Sequence, residues 1–299
     1  MPGRTTAVSV DLDDLGCYYA VHGVEGDARR LALLEWLPRF LHLFAELRIK
    51  ATFFVIGRDL EADLADGGQG AQVLRSAVAA GHELASHSWA HAYDMSAWDE
   101  ARVLEDLRRC DDLLRTVGAN PCGFRAPGYT HSGAMLRAVA AMGYRYDSSC
   151  LPSVAYYVGK VGVMAAMAVS GRRSSSRLRG LRSFLGPSAP YRRTDVPLVE
   201  LPMSVTPRLR LPLIGTTLLG GPDWLRGRLT SAARGLPHLH LELHAVDLAD
   251  ATRDGIDVPL PELATPLATR EARLMGLLRD RGEFVRLDRL ADTIAEPSA

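Results

Sequence analysis

Short apolar runs alternate with longer helical patterns along the chain, and this alternation constrains the fold more than any other feature. Residues 7–10, 51–56 and 238–244 have the length and side-chain pattern of strands, whereas residues 31–47 repeat apolar side chains at helical spacings. Strands that alternate with helices pair in parallel. The sequence therefore predicts an α/β fold with about seven strand–helix units, which suit one barrel-like domain over residues 1–299 better than two domains.

Charge and cysteine content narrow the class of protein. The formal net charge is zero, which argues against the basic surplus typical of nucleic-acid binding. The chain has no apolar segment of signal-peptide length near its N-terminus and no long uncharged apolar run that would span a membrane. Its four cysteines lack the spacing of a disulfide framework. For a complete chain, these features predict a cytoplasmic protein with reduced thiols and no nucleic-acid partner.

Three carboxylates crowd the end of the first strand at Asp11, Asp13 and Asp14. Such crowding costs free energy unless a cation or protons compensate. Because side chains alternate along a strand, Asp11 and Asp13 should share one face while Asp14 begins the loop. A metal site and a solvated acidic turn are both consistent with this pattern.

Two histidines, His87 and His91, lie four residues apart after the third strand. Neutral imidazoles at this spacing can bind one divalent ion such as zinc. Together with one carboxylate, they would form a three-ligand set with positions left for water, which suits catalysis. Such pairs also occur by chance, so the motif alone does not establish a metal site.

Four motifs in the same order resemble the polysaccharide deacetylase family, the NodB-homology enzymes of carbohydrate esterase family 4. They are the Asp13-Asp14 pair, His-Ser-x-x-His at 87–91, FRAPGY at 124–129 and LELH at 241–244, within a matching frame of about 7–246. The resemblance implies a distorted (β/α)7-type barrel. It also implies a metal-dependent N-deacetylase that acts on an N-acetylated amino sugar, a glycan precursor or a glycosylated metabolite.

The same resemblance implies roles for individual residues. Asp14 would be the carboxylate ligand of the metal, with His87 and His91 as the other ligands. Asp13 would be the general base that takes a proton from the attacking water, and Arg125 would hold the Asp13 carboxylate. The cation would be Zn²⁺, although Co²⁺, Ni²⁺, Mn²⁺ and Fe²⁺ accept the same ligands.

The remaining implied roles concern the acyl group and the leaving amine. The main-chain N–H of Tyr129 would help to bind the oxyanion, and His244 would be the general acid. No segment clearly matches the aspartate–tryptophan pair that supports the catalytic histidine in this family. Asp195, Glu200 and Asp247 are the candidates for that support, and the sequence does not choose among them.

Two departures from the family pattern keep other functions open. Asp11 is an extra acid that could support the site from outside the ligand set or compete for the ligand role, and Ala245 replaces the usual proline after His244. One alternative is a hydrolase of a non-sugar amide or cyclic imide on the same fold. Another is a non-catalytic protein that binds a sugar or a metal.

Three further side chains are candidates for substrate binding. Tyr18 and Trp89 could stack on a sugar ring, and His22 follows the acidic cluster closely enough to line the pocket. Ordinary packing explains each of them equally well.

An insertion at about 155–195 departs from the strand–helix rhythm. Residues 158–194 contain no acidic side chain and many basic ones, and residues 161–169 are small and apolar. Three interpretations are open: a lid, a site for anionic groups such as phosphate, and a membrane-surface element. A solvated basic loop is the plainer alternative. We expect the insertion to favour an anionic or lipid-linked substrate and a peripheral contact with membranes.

Overall fold

A computed structural model of the chain describes residues 4–176 and 181–295. Within these residues, all strands belong to one sheet. The strands are β1 (Thr5–Asp11), β2 (Thr52–Val55), β3 (Glu83–Ser86), β4 (Gly123–Phe124), β5 (Tyr146–Asp147), β6 (Tyr191–Arg192), β7 (Val199–Glu200), β8 (His238–His244) and β9 (Glu283–Val285).

The sheet has the strand order β6-β7-β5-β4-β3-β2-β1-β8, and β9 also pairs with β1. Its strand pairs are parallel except for β6 with β7. The main-chain N–H of Ser204 donates to the carbonyl of His240 at 3.1 Å, so the chain that follows β7 reaches β8. The sheet thus curls into a half-barrel, which confirms the predicted α/β fold.

Helices connect most of the strands and cover the sheet. They are α1 (Leu15–His22), α2 (Leu37–Glu46), α3 (Gly57–Ala65), α4 (Gln69–Ala79), α5 (Glu100–Thr116), α6 (Gly133–Ala141), α7 (Val154–Val169), α8 (Gly215–Leu219), α9 (Asp223–Gly235), α10 (Leu267–Arg279) and α11 (Leu287–Ala295). None of the helices in the described part of the chain has the length and apolar character needed to cross a membrane.

Burial of the central strands explains their sequences. In β1, every residue after Thr5 is buried, and β8 is buried between its two ends. Strands of a parallel sheet that is covered on both faces read as nearly continuous apolar runs. Polar residues at their carboxyl ends are therefore exceptions that need a function. They meet at one edge of the sheet, where ligands of parallel α/β folds bind.

The predicted insertion begins as helix α7 and returns to the sheet at β6. Arg177 and Arg179, two of its basic residues, lie outside the described residues. The helix itself carries the small apolar stretch noted in the sequence.

Candidate metal centre and active site

Asp13, His87 and His91 converge at the carboxyl edge of the sheet. The Asp13 Oδ1 atom lies 3.3 Å from Nε2 of each histidine, and the two imidazole rings are 4.8 Å apart. All three residues are buried, and Asp13 Oδ1 and His91 Nε2 have no hydrogen-bond partner. Buried polar atoms without partners are costly. Three potential ligand atoms that face one another fit a divalent cation.

The charge of Asp13 and the orientation of the His87 ring suit both side chains to bind a cation. Burial raises the pKa of Asp13, but the two histidines outweigh it and hold that pKa well below its usual value, so the carboxylate is anionic. The Nδ1 atom of His87 lies 2.8 Å from the carbonyl oxygen of Arg125. Because a carbonyl only accepts, Nδ1 carries a proton and Nε2 is the nitrogen that faces Asp13. Burial lowers the pKa of His87, but Asp11 and Asp13 outweigh it and raise that pKa, so a bound cation would take the place of a proton on Nε2.

The loop that presents His91 has an unusual backbone. Ser88 and His91 adopt left-handed conformations, with φ of 70° and 48°. The carboxylate of Asp106 holds the turn by accepting hydrogen bonds from the N–H groups of Trp89 and Ala90 at 2.8 and 2.9 Å. Strained backbone of this kind persists where surrounding contacts enforce it, and it clusters at functional sites.

Asp14, which the family resemblance implies to be the carboxylate ligand, does not belong to this cluster. Its Oδ1 atom accepts hydrogen bonds from the main-chain N–H groups of Leu15, Leu31 and Ala32 at 2.8, 2.8 and 3.2 Å. Asp14 is the N-cap of α1. The alternation of side chains along β1 continues beyond the strand as far as Asp13, which lies on the same side as Asp11. The next residue, Asp14, caps helix α1 instead.

The predicted partner of Arg125 also changes. Arg125 donates to Asp11, with 2.5 Å between Nη1 and Oδ1, and has no ion pair with Asp13. Hydrogen bonds to Ser9 and Ser148 fix the guanidinium, which lies 4.1 Å from the ring centroid of Phe54. The second oxygen of Asp11 lies 3.7 Å from His87 Nε2. Arg125 therefore aims the free side of the Asp11 carboxylate at the candidate metal centre.

His244 lies on the other wall of the pocket and is supported by Glu242. The Nδ1 atom of His244 is 2.9 Å from Oε1 of the fully buried Glu242. Burial lowers the pKa of His244, but Glu242 and the more distant Asp13 and Asp11 raise it well above its usual value. The imidazole is thus a cation at neutral pH. Asp11, Glu242 and His244 form a second compact cluster, whose nitrogen and carboxylate oxygen atoms lie within 4.8 Å of one another.

None of the predicted supporting acids contacts this imidazole. Asp247 accepts a hydrogen bond from the main-chain N–H of His244 at 2.9 Å, and Asp195 and Glu200 pair with Arg193. Glu242 was missed in the sequence, although it lies two residues before His244 and therefore on the same face of β8.

Tyr129 faces the same pocket, but with its side chain. Its hydroxyl lies 3.1 Å from His244 Nε2, whereas its main-chain N–H donates to the carbonyl of Ala126 at 3.2 Å. In this structure the N–H group that was predicted to bind the oxyanion therefore closes a tight turn.

Of the three residues predicted to contact the substrate, one lines the pocket and two lie outside it. Tyr18 lines the pocket, and its buried hydroxyl has no hydrogen-bond partner. Trp89 does not line the pocket, and the guanidinium of Arg109 lies 3.6 Å from the centroid of its ring. His22 is also outside and pairs at 2.9 Å with Glu262, whose carboxylate group reaches the pocket wall.

Lys160 of α7 brings a positive charge to the pocket wall, beside Tyr156 of the same helix. Within the described residues, no carboxylate lies within ion-pair distance of it. Burial lowers the pKa of Lys160 to about 8. This half-buried ammonium group therefore has no anionic partner in the described part of the chain.

The fold and the site together define a class of protein: a curled, mostly parallel α/β half-barrel of the NodB type, with a carboxylate–histidine site at its carboxyl edge. Residues 27–146 match the sequence profile of the family described as Polysaccharide deacetylase. This match confirms the resemblance to the family over residues 27–146. Deacetylases of the family are hydrolases, and the family is in general metal-dependent.

Characterised relatives agree with this assignment. The chain is 28% identical over 161 residues to a peptidoglycan deacetylase from Helicobacter pylori, a match that covers 51% of this chain and 52% of the relative. It is 29% identical over 112 residues to a protein named a peptidoglycan-N-acetylglucosamine deacetylase from Arthroderma benhamiae, covering 37% and 24% of the two chains. The chain thus spans about half or less of the length of these relatives.

Solved structures share the fold. One is a polysaccharide deacetylase homologue from Mycobacterium smegmatis, with a TM-score of 0.64 at 18% identity over 98% of this chain and 91% of the other. A second is a carbohydrate esterase family 4 pseudoenzyme from Bacillus anthracis, with a TM-score of 0.51 at 11% identity over 98% and 67%. At these identities, the likeness describes architecture and leaves the activity to the site residues.

Proposed function

We propose that the protein is a metal-dependent N-deacetylase that releases acetate from an N-acetylated amino sugar, a glycan precursor or a glycosylated metabolite. The observation that carries this proposal is the cluster of Asp13, His87 and His91. It lies beside a pocket that is also lined by the oriented carboxylate of Asp11 and the cationic imidazole of His244. Hydrolysis of an amide needs these functions together, because the carbonyl is a poor electrophile and the amine a poor leaving group.

Asp13, His87 and His91 would hold the cation. When bound, a divalent ion supplies Lewis-acid chemistry, since it polarises the acyl carbonyl and lowers the pKa of water. Two imidazoles and one carboxylate suit zinc, and they also accept cobalt, nickel, manganese or iron.

Asp11 is the proposed general base, in place of the Asp13 predicted from the sequence. One of its oxygens accepts from Arg125, so the other is free to take a proton from the attacking water. The contact with Arg125 fixes the direction of this carboxylate. A positioned base contributes about 10²- to 10⁴-fold to the rate.

His244 is the proposed general acid. Glu242 stabilises its protonated form at Nδ1, and Nε2 points into the pocket beside the hydroxyl of Tyr129. The proton on Nε2 would pass to the leaving nitrogen, which would otherwise depart as an unstable anion.

A change at Glu242 should move the pH profile in a predictable direction. His244 must be protonated, so kcat/KM should fall as the pH rises through its pKa. Glu242→Gln removes the adjacent negative charge and should shift this alkaline fall to lower pH, together with a lower maximal rate. The profile of kcat/KM against pH measures the shift. The matched control is Glu200→Gln. Glu200 is a buried carboxylate outside the pocket, so this variant should leave the alkaline limb of the profile in place.

The substrate proposed for this pocket carries an anionic group near its sugar. Tyr18, Tyr129 and Tyr156 provide aromatic walls, and Lys160 provides the charge. This supports the anionic substrate expected from the basic insertion. The cytoplasmic location stays a prediction from the sequence.

A substrate panel with and without metal tests the proposed function. Acetate release from N-acetylated amino sugars, with and without a phosphate, should occur with the metal-loaded protein. It should stop after chelation and return when zinc is added back. Hydrolysis of ureides or cyclic imides instead would favour the second enzymatic function. A metal-loaded protein that hydrolyses neither class would contradict an enzymatic role.

A further inference from the structure

We propose that α7 is an interfacial helix that docks on an anionic lipid bilayer and brings the mouth of the active site to that surface. Of the three interpretations of the insertion, the structure favours this one because α7 has an uncharged apolar outer face, an anchored inner face and a basic C-terminal extension.

The outer face of α7 is apolar and exposed. Val158, Val163 and Val169 are 65%, 56% and 91% exposed, and Val154 and Val161 are each 47% exposed. The only charged residue of the helix, Lys160, lies at the pocket. A helix that faces water normally places its charged side chains outwards, and a contiguous apolar surface of this kind marks an interaction site.

The inner face fastens α7 to the active-site wall. The hydroxyl of Tyr157 donates to the carbonyl of Tyr129 at 2.8 Å, and the ring of Tyr156 packs 5.8 Å from the ring of Tyr129. At the far end, the N–H of Ser175 donates to the carbonyl of Ala20 in α1. Both attachments are to parts of the chain that form the pocket. A surface that covers the outer face would therefore lie beside the pocket mouth.

Charge identifies the occupant as an anionic bilayer. Arg172 and Arg173 are exposed directly after α7, and residues 158–194 contain no acidic side chain. Apolar contact combined with a basic margin is typical of helices that bind anionic lipid surfaces. A second copy of the chain would bring two basic margins together, which disfavours self-association through this face.

Length indicates how the helix would lie. Sixteen residues span about 24 Å along the axis, and α7 is too short to cross a bilayer. It would lie in the plane of the headgroups, with its valines towards the acyl chains. In combination with the proposed deacetylation, on which this step rests, the arrangement favours an amino sugar linked through phosphate to a lipid.

Co-sedimentation with vesicles tests the docking. Wild-type protein should bind vesicles of phosphatidylcholine mixed with phosphatidylglycerol, and bind more weakly to phosphatidylcholine alone or at high salt. The double variant Val158→Glu/Val169→Glu should lower binding to the mixed vesicles by about tenfold or more. The matched control, Leu209→Glu/Trp224→Glu, changes two residues that are 75% and 70% exposed elsewhere and should bind like wild type.

Absence of wild-type binding to mixed vesicles would overturn the proposal, as would an equal loss in the control variant. The wild-type protein could instead be a dimer that binds no vesicles, with the α7 double variant a monomer. That result would assign the exposed face of α7 to contact with a second copy of the chain. Both variants should melt at the wild-type temperature. Acetate release from a water-soluble N-acetylated amino sugar is measured in parallel. Failure to release acetate would contradict the proposed function, whereas vesicle binding tests only the docking of α7.

Discussion

Asp11→Asn should leave metal binding nearly unchanged and lower kcat by about 10²- to 10⁴-fold, the usual contribution of a general base. Asparagine has nearly the same shape and can still accept a hydrogen bond from Arg125, but its amide cannot take a proton from water. Metal content, measured by elemental analysis beside acetate release, separates the two effects. The expected product is a folded, metal-loaded and nearly inactive protein.

The variant also distinguishes the structure from the sequence-based assignment of Asp13 as the base. Full activity of the Asp11→Asn variant would remove Asp11 from the mechanism. Loss of metal together with activity would mean that Asp11 is a ligand, since its Oδ2 atom lies 3.7 Å from His87 Nε2.

Asp13→Asn should abolish tight metal binding and, with it, turnover. The carboxylate is the anionic member of the ligand set, and its pKa well below the usual value means that it is charged when the cation arrives. Substitution of groups that merely support metal ligands typically lowers affinity by about 10- to 100-fold, so loss of a ligand should exceed this range. Titration with zinc, followed by calorimetry, measures the change.

Asp14→Asn is the matched control at the next position. An amide oxygen can still accept from the N–H groups at the start of α1 and of the following helical segment, so the variant should bind zinc like wild type. If Asp14→Asn lost the metal while Asp13→Asn kept it, the assignment from the sequence would be right and the geometry proposed for this centre would be wrong.

The one-residue difference between Asp13 and Asp14 follows from the register of β1. Strand alternation placed Asp11 and Asp13 on one face, which agrees with the structure, whereas the family motif assigned the adjacent pair Asp13 and Asp14. Two carboxylates one residue apart cannot both follow the inward face of a strand. The pair Asp11 and Asp13 can, and Arg125 selects the first of them.

Strands and the histidine pair were predictable because their signals are local. The residues of β1 and β8 alternate or run apolar over a full strand, and the approach of His87 to His91 needs only a tight turn. The surroundings of Trp89 and His22 depend on α5 and on a short helical turn, Pro261–Leu263, which are distant in sequence. No local pattern predicts such contacts.

Helix α7 was missed for a related reason. Its residues are apolar on nearly all sides and include Gly159 and Gly162, so they lack the periodicity by which an amphipathic helix is recognised. The sequence indicated an unusual insertion. The structure adds that the segment is a helix whose exposed face has no partner within the described residues.

Anomalous diffraction from zinc in crystals of the protein tests the central claim most directly. The account predicts one strong peak about 2.0–2.2 Å from an Asp13 carboxylate oxygen and from Nε2 of both His87 and His91. A strongest peak at Asp14, or within the cluster of Asp11, Glu242 and His244, would contradict it.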